Sequence, residues 1–288
     1  MDQRLAELLR LLELERLEDN IFRGESRDIG SPQVYGGQVL GQALKAAYAT
    51  VDGGRMVHSL HAYFLRRGDF NAPIVYFVDR SRDGHSFISR RVTAIQHGEQ
   101  IFNLSASFQS VEAGFEHQQQ MPDVPPPESL PESLTQESEQ IERLSPRLRS
   151  FVHNRPIEFR VVPQAASAPQ PGLPRQQLWL RTVDRLPDDE LLHRCLLAYA
   201  SDFRLLGTAM IPHQQLMAAG TYMLASVDHT MWFHRSVRMD DWLLYAMDSP
   251  SASGARGFAR GSIYSRDGRL VASTAQEGLI RLLPPAAG

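Results

Sequence analysis

One pattern of strands and a turn occurs twice in this chain, and it limits the possible folds more than any other sequence feature. The stretches 86–109 and 255–276 each place one turn glycine between two long runs of the kind that form β-strands. They lie about 170 residues apart, whereas the repeats of a solenoid recur every ~20–50 residues. The sequence therefore predicts a duplicated domain in which each copy contains an antiparallel meander.

Each copy also has a helix before its meander. A helix rich in small residues is predicted over 36–48, entered through the pair Gly36 and Gly37, whose lack of a side chain lets backbone approach closely. The second helix lies within 187–206, where apolar residues recur at spacings of three and four. Strands are predicted at 20–24, 57–65, 74–78, 86–96, 100–109, 157–162, 177–183, and around 221–234, 242–248, 255–265 and 269–281, with a first amphipathic helix over 3–19.

The segment 116–150 divides the two copies. It is rich in proline, serine and acidic residues, a composition typical of a linker, and a short helix is predicted near 140–150. We accordingly expect an N-terminal module over 1–115, the linker, and a C-terminal module over 151–288. Helices combined with antiparallel strands make the predicted class α+β.

Composition excludes several classes of function. The 288 residues are 42% hydrophobic and 22% charged, as in ordinary globular proteins, and the net charge of −3 gives no electrostatic case for binding nucleic acid. The single cysteine, Cys195, rules out an internal disulfide and a multi-cysteine zinc site and fits a reducing compartment. No apolar run approaches the ~18 residues of a membrane span. The expected location is the cytoplasm.

The common catalytic motifs are absent. There is no nucleophile elbow, dinucleotide-binding glycine pattern, phosphate-binding loop or zinc-protease helix motif. The pairs His58/His61 and His229/His234 have odd spacings in predicted strands, so the two members of each pair should point to opposite faces. We expect neither a metal nor a cofactor.

One acidic residue lies where the helix pattern calls for an apolar one. The core stripe of the second helix is 192, 195, 199, 202 and 206, and it includes Asp202. Desolvating a lone carboxylate costs several kcal/mol. The residue must therefore be paired, hydrogen-bonded or functional.

Other polar residues occur in apolar strands of the same half. Counting in twos places Ser226, Asp228 and Thr230 on one face of a strand, and Gln276 lies on a small, polar face made of 272, 274, 276 and 278. An aspartate, a hydroxyl and a carboxamide could together hold a water, with the aspartate taking its proton. Satisfied polar groups of the core would give the same pattern.

These residues lie in motifs that resemble the acyl-CoA thioesterase II family. The similar segments run in the family's order along nearly the whole chain, outside the linker: 22–24, 33–43, 58–69, 82–87, 107–109, 199–202, 228–234 and 275–278. The resemblance implies a double hotdog fold, that is, two tandem modules, each a long helix wrapped by a curved antiparallel sheet. It also implies hydrolysis of fatty acyl-CoA to free acid and CoA by an activated water, in a homodimer or homotetramer.

The resemblance also assigns site residues. The family's aspartate, hydroxyl and glutamine fall on Asp202, Ser226 and Gln276, with Thr230 as the rival hydroxyl. Gly36, Gly37 and His58 are the expected substrate-binding residues, and a backbone N–H near the glycine pair is expected to meet the thioester carbonyl.

Two alternatives keep the same fold. A catalytically silent acyl-CoA-binding protein would lack turnover, and a hydratase acting on enoyl thioesters would need an Asp/His pair on its helix. The helix at 36–48, which corresponds to the Asp202 helix in the other copy, contains no acid. We therefore expect one active centre per chain.

Overall fold

The computed structural model describes residues 1–31, 33–52, 54–132, 146–163, 174–213 and 222–283. Within these residues, thirteen strands form one antiparallel sheet. The helices are α1 (Gln3–Leu12), α2 (Gly36–Tyr48), α3 (Pro146–His153), α4 (Glu190–Ser201) and α5 (Leu205–Thr208), with 3-10 turns at Pro127–Ser129 and Ile211–His213. The strands are β1 (Glu15–Glu18), β2 (Ile21–Gly24), β3 (Met56–Phe64), β4 (Ile74–Asp83), β5 (Phe87–Gln96), β6 (Glu99–Gln109), β7 (Ile157–Val161), β8 (Arg175–Thr182), β9 (Tyr222–Ser226), β10 (Asp228–Phe233), β11 (Leu243–Ser253), β12 (Arg256–Ser265) and β13 (Leu270–Leu282).

The two halves of the sheet have the same strand order. It is β1-β2-β4-β5-β6-β3 in the first half and β7-β8-β11-β12-β13-β10 in the second, with β9 added beside β13. In both halves the strand that follows the long helix pairs with the last strand of the meander. The duplicated meander predicted from the sequence is therefore present.

The halves join through one pair of strands and one pair of helices. Strands β3 and β10 pair from Tyr63 opposite Asp228 to Ser59 opposite Trp232, which makes the sheet continuous. Helix α2 packs on β4, β5 and β6 and also against α4. A Cβ on Gly37 would lie 2.2 Å from the Tyr199 carbonyl oxygen, so only glycine allows this approach of the two helices.

Local chemistry explains where α4 begins and what it buries. The Asp189 side chain caps the helix by accepting from the N–H groups of Leu191 and Leu192. Its Leu196 and Leu197 and the Ala43 of α2 are fully buried in the shared core. Two long helices on one continuous antiparallel sheet confirm the predicted α+β double hotdog fold.

Two helix predictions were too long. The first helix ends at Leu12, because 15–18 instead pairs with β2, starting with Glu15 opposite Arg23. Helix α4 ends at Ser201, and the chain then turns through Arg204 at a left-handed φ of 65°. Asp202 is thus the C-cap of α4 and not a residue of its interior.

The described parts of segment 116–150 pack on the second half. The Trp179 indole donates to the Pro125 carbonyl at 2.9 Å, and Arg266 pairs with Glu128 at 2.6 Å. Helix α3 covers the end of the predicted helix near 140–150, and residues 140–145 of that prediction lie outside the described residues.

Candidate active site

Asp202 lies where the end of α4 meets the start of α2. Its side chain is 7% exposed. The carboxylate Oδ1 accepts from Gln276 Nε2 at 2.7 Å, and the carboxylate also accepts from the backbone N–H of Gly37. Burial raises the pKa of Asp202 above its ordinary value, while these two hydrogen bonds act in the opposite direction. The result is a carboxylate that is more basic than one in water.

The two helix ends have opposite effects on this carboxylate. The C-terminus of α4 carries the negative end of a helix dipole, which disfavours the charge on Asp202. The N-terminus of α2 carries the positive end, and its Gly37 N–H points at the carboxylate. A Cβ on Gly36 would lie 2.7 Å from Asp202 Oδ2, so glycine here leaves room for the acid.

Ser226 reaches the site because the strand is interrupted. Ser226 pairs with Gly278 and Thr230 pairs with Ala275. Between these two pairs β13 advances by three residues, whereas the segment from β9 to β10 advances by four. The extra residue at Val227 is a bulge, which shifts the alternation of side chains. The prediction that Ser226 and Thr230 share a face was therefore wrong, and Thr230 lies on the opposite face from the buried residue His229.

Gln276 connects the polar groups of the site. It is fully buried on β13, and the alternation of burial along that strand shows that the small, polar face of 272, 274, 276 and 278 lies inward. Besides Asp202, its Nε2 lies 3.1 Å from Ser226 Oγ. The structure thus brings together Asp202, Ser226 and Gln276 from a helix end and two strands.

The structure adds His229, a residue that the sequence reasoning left out of the site. It is fully buried, its Nδ1 lies 3.3 Å from Gln276 Nε2, and its Nε2 lies 2.9 Å from Ser201 Oγ. Burial lowers its pKa to about 3, so the ring is neutral. The bulge at Val227 turns it inward, and only its place within the motif at 228–234 could have indicated a role.

A cavity of about 240 Å³ opens beside these residues. Its walls come from both halves of the chain, with Gly36, Val39 and Phe64 from the first and Ser226 from the second. The exposed residues Arg66 and Arg67 also line it. A small-molecule site shared between halves and built from few polar groups is a common arrangement.

Comparisons with known proteins identify the family of this chain. Residues 149–279 match the model of the acyl-CoA thioesterase family, and residues 23–109 match that of the acyl-CoA thioesterase N-terminal domain. The acyl-CoA thioesterase 2 of Haemophilus influenzae is 43% identical over 98% of this chain and 99% of its own. The chain belongs to the acyl-CoA thioesterase family.

Solved structures of this family and fold match nearly the whole chain. The acyl-CoA thioesterase II crystal structure from Mycobacterium marinum is 45% identical and has a TM-score of 0.83, covering 98% of this chain and 100% of that one. A hot dog fold protein from Alicyclobacillus acidocaldarius, 20% identical with a TM-score of 0.74 over 97% and 99% of the two chains, shares the fold.

Two residues predicted to bind substrate have other contacts in this family member. His58 bonds Ser107 Oγ at 2.8 Å and packs against Phe87; it lies six residues from Phe64, roughly 20 Å along an extended strand. The structure therefore does not bring His58 to Asp202. Of the glycine pair expected to provide an N–H for the thioester carbonyl, Gly37 donates its N–H to the carboxylate.

The described ranges contain neither a helix suited to crossing a membrane nor a metal-binding group. No helix among these residues is long and apolar enough to cross a membrane. The same part of the chain has no group of three or more His, Cys, Asp or Glu residues placed to hold a metal ion. Cys195 is buried on α4, and burial raises the pKa of its thiol to about 12.

Proposed function

We propose that this chain hydrolyses fatty acyl-CoA thioesters to free acid and CoA, with Asp202 as general base, Ser226 as the water-orienting hydroxyl and Gln276 as their common partner. The observation that carries the proposal is the contact of one Gln276 Nε2 with both Asp202 Oδ1 and Ser226 Oγ. A base and a hydroxyl held by one amide can position a water between them.

In the proposed reaction water attacks the thioester directly, and no covalent intermediate forms on the enzyme. A water molecule gives one proton to Asp202 while the water oxygen bonds to the thioester carbonyl carbon. That carbon becomes tetrahedral, and the carbonyl oxygen becomes the oxyanion. The C–S bond then breaks, and the CoA sulfur leaves with the proton returned by Asp202. The raised pKa of Asp202 supports this role because it makes the carboxylate a better proton acceptor near neutral pH.

The thioester carbonyl needs a hydrogen-bond donor that Asp202 does not use. Gly37 N–H already donates to the carboxylate. The first N–H groups of a helix have no acceptor within it. We therefore assign the backbone N–H of Gly36, in the first turn of α2, as the donor to the oxyanion.

The cavity supports an acyl-CoA substrate. Val39, Ile101 and Phe102 give it apolar walls suited to an acyl chain, while Arg66 and Arg67 place positive charge suited to the phosphates of CoA. Ser226 lines the same cavity. On the same grounds we propose a role in fatty acid metabolism.

The proposal extends to organisation and location. It comprises modules over 1–115 and 151–288 joined by the linker 116–150, with the catalytic residues in the second module. We also propose a cytoplasmic location, which the single cysteine supports. The proposed oligomeric state is a homodimer or homotetramer. The exposed aromatic residues Tyr63 and Trp232 on the paired strands β3 and β10 support assembly through the outer sheet face.

The decisive experiment measures release of CoA thiol from a panel of short- to long-chain acyl-CoA substrates. Replacing Asp202 by Asn removes the base and should lower kcat by about 10²–10⁴-fold, the usual contribution of a general base. Asp228→Asn is the matched control. Asp228 lies nearby on β10 and accepts from the Glu277 N–H at 2.6 Å, a bond that an amide oxygen can keep.

The outcomes distinguish a thioesterase from a silent acyl-CoA-binding protein and from a hydratase. A wild type that binds acyl-CoA but releases no thiol would be the silent binding protein, and turnover of an enoyl thioester without thiol release would be a hydratase. Activity retained by Asp202→Asn would remove Asp202 from the mechanism. Equal losses in both Asn variants would show that the effect is not specific to the base.

A further inference from the structure

The contacts of His229 form a chain that ends at the proposed catalytic amide. The Ser201 hydroxyl lies 2.9 Å from the carbonyl oxygen of Ala198 and 2.9 Å from His229 Nε2. On the other side of the ring, His229 Nδ1 lies 3.3 Å from Gln276 Nε2. All four residues belong to the interior, since Ser201, His229 and Gln276 are fully buried and Ala198 is 1% exposed.

Donor and acceptor roles follow along this chain from its far end. A carbonyl oxygen only accepts, so Ser201 donates its hydrogen to Ala198. Ser201 Oγ is then left to accept from His229 Nε2–H. In a neutral ring the other nitrogen, Nδ1, carries a lone pair and accepts from Gln276 Nε2, whose two hydrogens are shared among Asp202, Ser226 and this ring. One backbone carbonyl thus determines the tautomer of the ring and the orientation of the amide.

The orientation of this amide matters because its two ends have opposite roles. With Nε2 toward Asp202 it donates to the carboxylate; turned over, it would place an oxygen against that carboxylate. In the observed orientation Gln276 Oε1 is buried and has no protein partner among the described residues. Asp202 alone cannot hold this orientation throughout the reaction, because an aspartate that has taken a proton can donate to Oε1.

We propose that His229 is a positioning residue that holds the Gln276 amide in one orientation while Asp202 gains and loses its proton. The inference rests on the proposed function of Asp202 and Gln276. His229 suits the task because it stays a neutral acceptor: burial lowers its pKa to about 3, whereas burial raises the pKa of Asp202. It lies 4.0 Å from Asp202 Oδ1 and so leaves the base itself free.

The test is a double-mutant cycle between His229 and Gln276, read as kcat and KM for thiol release. His229→Leu removes the acceptor at similar apolar bulk and should lower kcat by roughly 100-fold, as a misplaced catalytic group does, with KM within about threefold. In a Gln276→Ala background the same change should cost no further kcat, because its effect passes through the amide. His229→Asn, whose amide oxygen can stand near the position of Nδ1, should restore most of the loss.

The outcomes separate failure of this inference from failure of the proposed function. If His229→Leu lowers kcat equally in both backgrounds, His229 acts by another route and the inference is overturned. If Gln276→Ala alone keeps wild-type kcat, the role of Gln276 in the proposed function is overturned, and the positioning role falls with it. Should the Leu variant not fold, Ser201→Ala takes its place. It frees the tautomer of His229, so it must lower kcat in the wild-type background and not in Gln276→Ala.

Discussion

Asp202 combines features that oppose one another in a single residue. Its carboxylate is buried, and it ends a helix whose dipole disfavours negative charge. A hydrogen bond from Gln276 and one from the Gly37 N–H compensate only in part, since its pKa remains raised. The folded state therefore binds the proton of Asp202 more tightly than the unfolded chain does, and ionising this acid costs stability.

Because ionised Asp202 lowers the stability of the fold, Asp202→Asn should change stability in a pH-dependent way. Below the ordinary pKa of an aspartate the acid is protonated in both states and costs nothing; as pH rises through the raised folded pKa the penalty develops in full. The Asn variant should thus be more stable than wild type near neutral pH, and the difference should shrink in acid. Thermal unfolding measures it, since a gain of about 1 kcal/mol shifts the melting temperature by roughly 2–4 °C.

Asp69→Asn provides the contrast in sign. Hydrogen bonds from the Asn71 N–H and from His97 hold the pKa of Asp69 below its ordinary value, so its ionised form favours the folded state. This variant should gain no stability at neutral pH. An Asp202→Asn variant less stable than wild type at neutral pH, or a difference independent of pH, would contradict the account of Asp202.

The contact of α2 with α4 depends on Gly37. A Cβ there would lie 2.2 Å from the Tyr199 carbonyl oxygen, which is backbone and cannot move aside. Gly37→Ala should therefore separate the helices and destabilise the fold by about 1–3 kcal/mol, the usual cost of overpacking. It should also lower kcat, because the same residue donates to Asp202. Chemical denaturation and thiol release measure the two effects.

A second glycine in a helix controls for the change in backbone entropy. Gly207 lies in α5, and a Cβ on it would meet nothing within 4 Å. Gly207→Ala should leave activity unchanged and gain about 0.5–1 kcal/mol of stability. If Gly37→Ala proved as stable and active as this control, the close approach would not matter.

The elements show how far the sequence determines the structure. Local patterns predicted α2, the hairpin strands and the apolar face of α4, because turn glycines and periodicity are properties of neighbouring residues. The bulge at Val227 and the end of α4 before Asp202 were not predicted, since pairing with β13 and packing on α2 decide them. Polar residues in apolar elements indicated Asp202, one strand face and Gln276, but the choice of Ser226 came from the family resemblance. His229 was missed because its inward orientation depends on that bulge.

The whole molecule joins its two halves at the same place where it builds the site. Strand β3 pairs with β10, and α2 packs on α4. Asp202 belongs to the second half, and the Gly37 N–H that reaches it belongs to the first. Helix α2 brings no acid of its own, so duplication yields one polar centre in which the first half supplies backbone and a wall of the cavity. Separating the halves would expose both strand edges and the apolar helix faces.

This arrangement predicts that the two halves unfold together. The three tryptophans, Trp179, Trp232 and Trp242, all lie in the second half, so their fluorescence follows that half, whereas far-UV circular dichroism follows the whole chain. Equilibrium unfolding in urea should give coincident curves by the two methods, with one midpoint, because neither half keeps a covered sheet edge without the other. The slope of free energy against urea should correspond to the surface of the entire chain. A first transition seen only by circular dichroism would mean that the first half unfolds alone and that the β3–β10 contact does not unite them.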